Sequence, residues 1–239
     1  AEEWANFSGR VLFDGDPPKP KKIVIDKDKE VCGKTPLFDE FIEVNPKNKG
    51  IKNVLVTMVV SSRDEPPAVH ESYKATEKDK VLLNNICCHY VPHIVLLRTT
   101  QSLVMKASDS IASNVKIDPQ MNPAFNLTIP SGTTAEKRFA NPERMPMPIN
   151  CPIHGWESGY LVVQAHPYMT LTDEDGRFEI KNVPVGEHKF MFWHESGWLI
   201  DVVVGGKQET WKRGCVTPNL KAGKNDLGDI LVPESQLDD

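Results

Sequence analysis

No apolar run in this chain reaches the roughly 18 residues that a membrane-spanning helix needs, which excludes a helical membrane span. Lys and Arg form no concentrated basic stripe. They are spread among Asp and Glu at a formal net charge of −5, which argues against a nucleic-acid surface. The usual catalytic signatures are missing too. There is no Gly-x-Ser-x-Gly elbow for acyl transfer, no glycine loop to cradle phosphate and no His-Glu-x-x-His for a zinc hydrolase, so no enzyme is expected. Cysteine is sparse: Cys32, Cys87, Cys88, Cys151 and Cys215 make five, and an odd count leaves at least one thiol unpaired within the chain. No segment carries a long 3.6-residue apolar period with capping signals, which removes long amphipathic helices from the fold.

What remains is enough to build cores. The 239 residues are 39% apolar and 8% aromatic, sufficient for one large or two ordinary domains. Extended runs follow one another: Phe7 to Phe13, Lys22 to Ile25, Val54 to Val60, Ile94 to Leu97, Gln101 to Lys106, Asn114 to Ile117, Tyr160 to Gln164 and His188 to His194. Tyr168-Met-Thr-Leu-Thr, the turn Asp173-Glu-Asp-Gly176 and Arg177-Phe-Glu-Ile predict a hairpin, because Asp-Gly supplies the positive φ such turns require. Nineteen prolines and fifteen glycines punctuate the chain between these runs. The pattern predicts an all-β protein of sandwich type. Boundaries fall near Lys80 and near His166-Pro167, giving segments 1–80, 81–165 and 166–239. The first is expected to complete the sandwich or sandwiches of the others.

One stretch carries chemistry. In Cys151-Pro-Ile-His154-Gly-Trp-Glu157, a thiolate and an imidazole stand three residues apart on a Pro/Gly-bounded loop before a strand. That spacing suits a grip on one soft metal ion. The cluster Asp173, Glu174 and Asp175 reads instead as a solvated turn, without the ligand spacing of a calcium loop. His166 and His194 read as packed, hydrogen-bonded residues, with a second site through His166, His194 and Glu195 the alternative.

Two stretches of the middle segment, Pro92-His-Ile-Val-Leu-Leu-Arg-Thr-Thr-Gln-Ser-Leu-Val-Met-Lys-Ala-Ser-Asp109 and Cys151-Pro-Ile-His-Gly-Trp156, resemble the cupredoxins. The first resembles that family's opening hairpin and the second its ligand loop. Thr172-Asp-Glu-Asp-Gly-Arg-Phe-Glu-Ile-Lys-Asn-Val-Pro-Val-Gly186, with Trp193-His-Glu195, resembles the carboxypeptidase regulatory-like (transthyretin-like) β-sandwich. Together with Phe7-Ser-Gly-Arg-Val-Leu-Phe-Asp-Gly-Asp-Pro-Pro18, Val31-Cys-Gly-Lys34 and Asn225-Asp-Leu-Gly-Asp-Ile230, the whole resembles a group of extracytoplasmic bacterial proteins, best represented in planctomycetes and often described as methylamine-utilisation-like.

The resemblance implies a cupredoxin-like Greek-key sandwich packed with a second sandwich, and a copper site for copper handling or electron transfer. Cys151 and His154 match the family's thiolate and one of its imidazoles. Ser113 stands where the other His belongs, and Glu157 where the axial Met belongs. The family topology would bring Cys87, Cys88, His89 and His93 towards the Cys151–His154 loop. Cys88, His93, Cys151 and His154 would then form a tetrahedral S₂N₂ set suited to zinc or copper(I). Met145 or Met147 would lend a thioether and Glu157 a carboxylate, with His89 a further candidate. Adjacent Cys87 and Cys88 should point to opposite faces of a strand, so only one reaches the site.

The competing expectation is a metal-free interaction module with a Cys88–Cys151 disulfide in place of the copper site. Cys215 is expected to be a free thiol or a partner for Cys32. The partner implied is a redox or copper-donor protein. The compartment implied is periplasmic or extracellular, with Ala1-Glu-Glu-Trp-Ala the mature end left by a removed signal peptide.

Overall fold

The computed structural model describes residues 3–61 and 64–237, so the first two residues of the expected mature end lie outside it. Its regular structure is almost wholly strand, as the sequence predicts. Among the described residues, no helix is long and apolar enough to cross a membrane. The chain divides into two compact units. One comprises residues 1–20, 39–72 and 168–239; the other comprises 21–38 and 73–167. The N-terminal residues are thus shared between them.

In the first unit the strand Trp4–Asp14 alternates inward and outward side chains, burying Ala5, Phe7, Val11 and Phe13. It lies between two later strands, antiparallel to Arg177–Pro184 and parallel to Gly223–Pro233. Asp201–Val204 and Lys207–Thr210 extend that sheet. A second sheet joins Met169–Leu171, Leu55–Met58, Phe190–His194 and Gly197–Trp198. Aromatic rings fill the core: Phe7 stacks on Phe190 at 4.3 Å between centroids, and Phe178 meets Phe192 edge-on at 5.4 Å.

The Asp173–Gly176 turn forms with Gly176 at φ +75°, but the strands it joins do not pair as the predicted hairpin. Met169–Leu171 pairs with Leu55–Met58 and Arg177–Pro184 pairs with Trp4–Asp14, so the turn passes the chain between sheets. The extended run expected at Lys22–Ile25 likewise makes no ladder. Only Lys22 bridges, to Phe38, and Val24 is 84% exposed.

The second unit is a sandwich of two sheets. One has the order Ile94–Arg98, Ser158–Gln164, Met147–Asn150, Ser113–Ile117 and Phe125–Ile129. The other has the order His89–Val91, Lys80–Ile86, Ser102–Ala107 and Thr134–Lys137. Its core gathers Leu83, Tyr90, Val95, Leu97, Leu103, Met105, Val115, Ile149, Leu161 and Val163. The stretch expected to be a hairpin, Ile94–Arg98 followed by Ser102–Ala107, is split between the two sheets. The turn between them is capped by Gln101, whose Oε1 accepts from the Arg98 amide at 2.8 Å. Each strand then buries its apolar face from its own side of the core.

Gly176 tests the first unit. A Cβ there would lie 2.1 Å from the Val11 carbonyl oxygen, and the backbone is left-handed. Gly176→Ala is expected to destabilise this unit by about 1–3 kcal/mol, read as a lowered midpoint in urea denaturation followed by tryptophan fluorescence.

Candidate metal centre

Strand Met147–Asn150 runs into Cys151, the chain loops through Pro152 to Trp156, and Glu157 leads into Ser158–Gln164. Asn150 pairs with Ser158, and the Cys151 amide donates to the Glu157 carbonyl at 3.2 Å, so the antiparallel ladder closes the neck of the loop. Inside it the Glu157 amide donates to the His154 carbonyl at 2.9 Å, and the His154 amide donates to Cys151 Sγ at 3.3 Å. These bonds fold the loop back so that Cys151, His154 and Glu157 turn the same way.

Their side chains converge. One donor atom from each of Cys151, His154 and Glu157 lies within 4.8 Å of the others. Cys151 Sγ is 3.9 Å from His154 Nδ1, which is 3.2 Å from Glu157 Oε1. All three residues are buried, at 3%, 1% and 2% exposure. Neighbouring elements hold them from outside. Asn85, inward-facing on Lys80–Ile86, donates from Nδ2 to Glu157 Oε2 at 3.0 Å. Tyr90 lies against Cys151 and donates its hydroxyl to the Asn114 carbonyl at 2.5 Å. His154 Nε2 is 2.7 Å from Asp28 Oδ2. A carboxylate accepts, so Nε2 carries a proton towards Asp28; Nδ1 faces the sulfur and Glu157, and in the neutral ring it accepts from a protonated Glu157, the form towards which burial drives that carboxyl.

Burial pushes the Cys151 thiol up, and the Glu157 carboxylate beside it pushes in the same direction. Burial likewise raises Glu157, and it drives the Tyr90 hydroxyl far up, with Cys151 and Glu157 adding to it. A thiolate, an imidazole and a carboxylate are a donor set for a transition-metal ion, and Asp28 on the far nitrogen is the outer partner that a metal-bound His normally has. The donor set therefore fits copper or zinc.

The structure corrects the expected pairing of cysteines. Cys88 is bonded to Cys32, not to Cys151, and Cys215 is free. A sulfur in a disulfide is no thiolate, so Cys88 does not join the ligand set. Cys87 and Cys88 form the two-residue turn between Lys80–Ile86 and His89–Val91, with φ of 53° and 57°. Both amides donate to the Asp109 carboxylate at 2.8 Å, which holds a conformation that L side chains avoid. The turn leaves Cys87 exposed and Cys88 buried.

His93 lies outside the Cys151–His154–Glu157 group. Its ring stands edge-on to Tyr160 at 6.3 Å, and its carbonyl accepts the Tyr160 amide. His89 is half-buried over the Cys87 carbonyl, also outside the group. Met147 is spent in the hydrophobic core. Ser113 begins its strand buried, and its Oγ has no hydrogen-bond partner among the described residues. No second cluster of three His, Cys, Asp or Glu residues suited to a metal occurs among the described residues. His194 Nδ1 instead meets Ser196 Oγ at 3.0 Å.

The sequence reading missed Asp28, Asn85 and Tyr90. Asp28 sits in Lys27-Asp-Lys-Glu30, a charge run that reads as solvated surface, and nothing local marks its link to His154.

No family model matches the chain, and no curated protein does. Among solved structures the chain is similar to an amicyanin variant in its reduced Cu(I) form, at 12% identity over 46% of this chain and 98% of that one, with a TM-score of 0.33. It is also similar to a purple cupredoxin from Nitrosopumilus maritimus, at 16% identity over 36% of this chain and all of that one, with a TM-score of 0.30. A copper-containing nitrite reductase from Thermus scotoductus matches at 15% identity over 45% of this chain and 25% of that one, with a TM-score of 0.31.

Two outcomes check this geometry. Asn85→Ala strips Glu157 Oε2 of its partner inside the fold and is expected to cost about 1–3 kcal/mol in urea denaturation. Under native conditions an alkylating reagent should modify Cys87 quickly, and Cys151 only after unfolding, as read by peptide mass mapping.

Proposed function

We propose that this chain is an extracytoplasmic, cupredoxin-like metal-binding protein that holds copper or zinc through Cys151, His154 and Glu157. The observation that carries the reading is the convergence of a sulfur, an imidazole nitrogen and a carboxylate within 4.8 Å, all buried. Cys151 Sγ would be the soft donor, His154 Nδ1 the borderline donor and Glu157 the hard one. A bound ion would supply a fixed positive charge and, for copper, a one-electron couple. Asp28 holds His154 in the tautomer that leaves Nδ1 free to bind, and Asn85 orients Glu157. Glu157, standing where a thioether is expected, favours a divalent ion, which supports metal handling over fast electron exchange.

The burial of all three donors supports binding rather than turnover. The Cys32–Cys88 disulfide supports an oxidising compartment. A copper-donor or redox protein is the partner this reading calls for.

A second reading, a metal-free interaction module, draws on the same contacts. The donors already satisfy one another and Asn85 and Asp28 through hydrogen bonds.

Metal titration separates the two. The purified protein should take up about one equivalent of Cu²⁺ or Zn²⁺, with a thiolate-to-copper charge-transfer band for Cu²⁺. Cys151→Ser should abolish the band, and Glu157→Gln should weaken binding about 10–100-fold in competition with a chromophoric chelator. Uptake of neither ion would leave the metal-free module.

A further inference from the structure

Residues 21–38 hold almost no regular structure beyond the helical turn Lys29–Cys32 and the bridge between Lys22 and Phe38. Contacts of this segment with the rest of its unit gather at the ligand loop and the disulfide. Lys27 Nζ donates to the Ile153 carbonyl at 2.9 Å, and Asp28 Oδ2 accepts from His154 Nε2 at 2.7 Å, both within the ligand loop. Cys32 is joined to Cys88, whose carbonyl accepts from Trp156 Nε1 at 3.1 Å in that same loop. Ile23, Ile25, Val31 and Leu37 pack with Trp156 around the disulfide. The segment is a strap closed over the ligand loop, and one covalent bond fastens it.

Asp28 does not find His154 by local preference. Its backbone is left-handed, at φ 46°, and the four-residue turn it opens ends at Cys32 itself. A non-glycine residue persists in that conformation only where its surroundings hold it. Here the contact to His154 stands on Asp28 itself and the disulfide four residues on.

We infer that the Cys32–Cys88 disulfide controls the metal site by keeping Asp28 on His154, so that its reduction loosens the metal; this rests on the metal-binding reading given above. An open cavity of about 260 Å³, lined by Val31, Cys32, Lys34, Cys87, Ser108 and Asp109, leads to the Cys32 side of the bond. Both residues are buried, Cys88 at 0% and Cys32 at 2% exposure, and of the two only Cys32 lines the cavity. A dithiol reductant therefore attacks Cys32, forms a mixed disulfide there and expels Cys88 as a thiolate, which takes up a proton. The reductant's second thiol then closes on the first, releasing Cys32 as a thiol and the reductant as a cyclic disulfide. Two electrons and two protons pass to the protein. The strap loses its fastening, Asp28 leaves Nε2, and the tautomer that presents Nδ1 loses the acceptor that favours it.

The experiment has a metal arm and a metal-free arm, both in a Cys87→Ser background so that no alternative pairing forms. Zn²⁺ competition is measured for the oxidised parent, Asp28→Asn, Cys32→Ser/Cys88→Ser and the triple variant. Asp28→Asn and the double serine variant should each weaken binding about 10–100-fold, and the triple variant should be no weaker than the double. Parent-like affinity in the folded double variant, or effects that multiply, overturns the proposal.

In the metal-free arm, nitrogen-detected NMR of the His154 ring should place the proton on Nε2 in the oxidised protein. That preference should be lost on treatment with dithiol, and lost in Asp28→Asn with the disulfide intact. A tautomer that ignores both changes overturns the proposal even where the double variant does not fold. A parent that takes up neither Zn²⁺ nor copper overturns the metal reading instead, because the second arm needs no metal.

Discussion

Bringing a thiol, an imidazole and a carboxylate together out of water is the constraint around which the second unit is arranged. Each is costly to bury alone, so each must find a partner inside. Glu157 takes Asn85 on one oxygen and His154 on the other. His154 takes Asp28 on its far nitrogen, and Cys151 accepts the His154 amide. These partners come from positions 28, 85 and 154, which only the assembled sandwich brings together. The loop 151–157 would not hold this shape as a free peptide. Its neck is closed by the ladder between Met147–Asn150 and Ser158–Gln164, and its inward face by the Lys80–Ile86 strand.

Cys87 and Cys88 show how one local feature redirects the chemistry. On a continuous strand, alternation would have aimed one sulfur into the core and the other outward. The chain instead turns at these two residues, and Asp109 fixes the turn by accepting both amides. The outcome resembles the alternation argument, with one sulfur exposed and one buried, but the buried sulfur faces Cys32. A side chain that spacing alone offers as a ligand becomes part of the scaffold, and the set of donors narrows to one loop.

This divides what was legible in the sequence from what was not. The all-β character was legible because β-branched runs and turn residues announce strands locally: Trp4–Asp14, Ile94–Arg98 and Phe190–His194 stand where the pattern places them. Cys151, His154 and Glu157 were legible because they share one loop, and loop spacing is a sequence property. Pairings were not. Whether Ile94–Arg98 pairs with the next strand or crosses the core depends on which face each strand buries, and both arrangements fit the same alternation. The choice of Cys32 over Cys151 for Cys88 depends on where an irregular segment more than 50 residues away comes to rest. Asp28 was invisible for the same reason, since a carboxylate among lysines reads as solvated until the fold places an imidazole against it.

The division has a functional consequence. A donor motif held in one loop reports which elements the site would bind, but not how tightly it would hold them. Tightness depends on the hydrogen bonds behind the donors, because they select the tautomer of His154 and the orientation of Glu157 before any ion arrives. Those bonds come from Asp28 and Asn85, on segments that the motif does not contain. Two chains with the same Cys151-to-Glu157 loop but different residues at 28 and 85 would share a ligand set and differ in affinity. On the metal-binding reading, the loop would therefore define the class of ion, while the remote strap and the facing strand would set how firmly the site is poised.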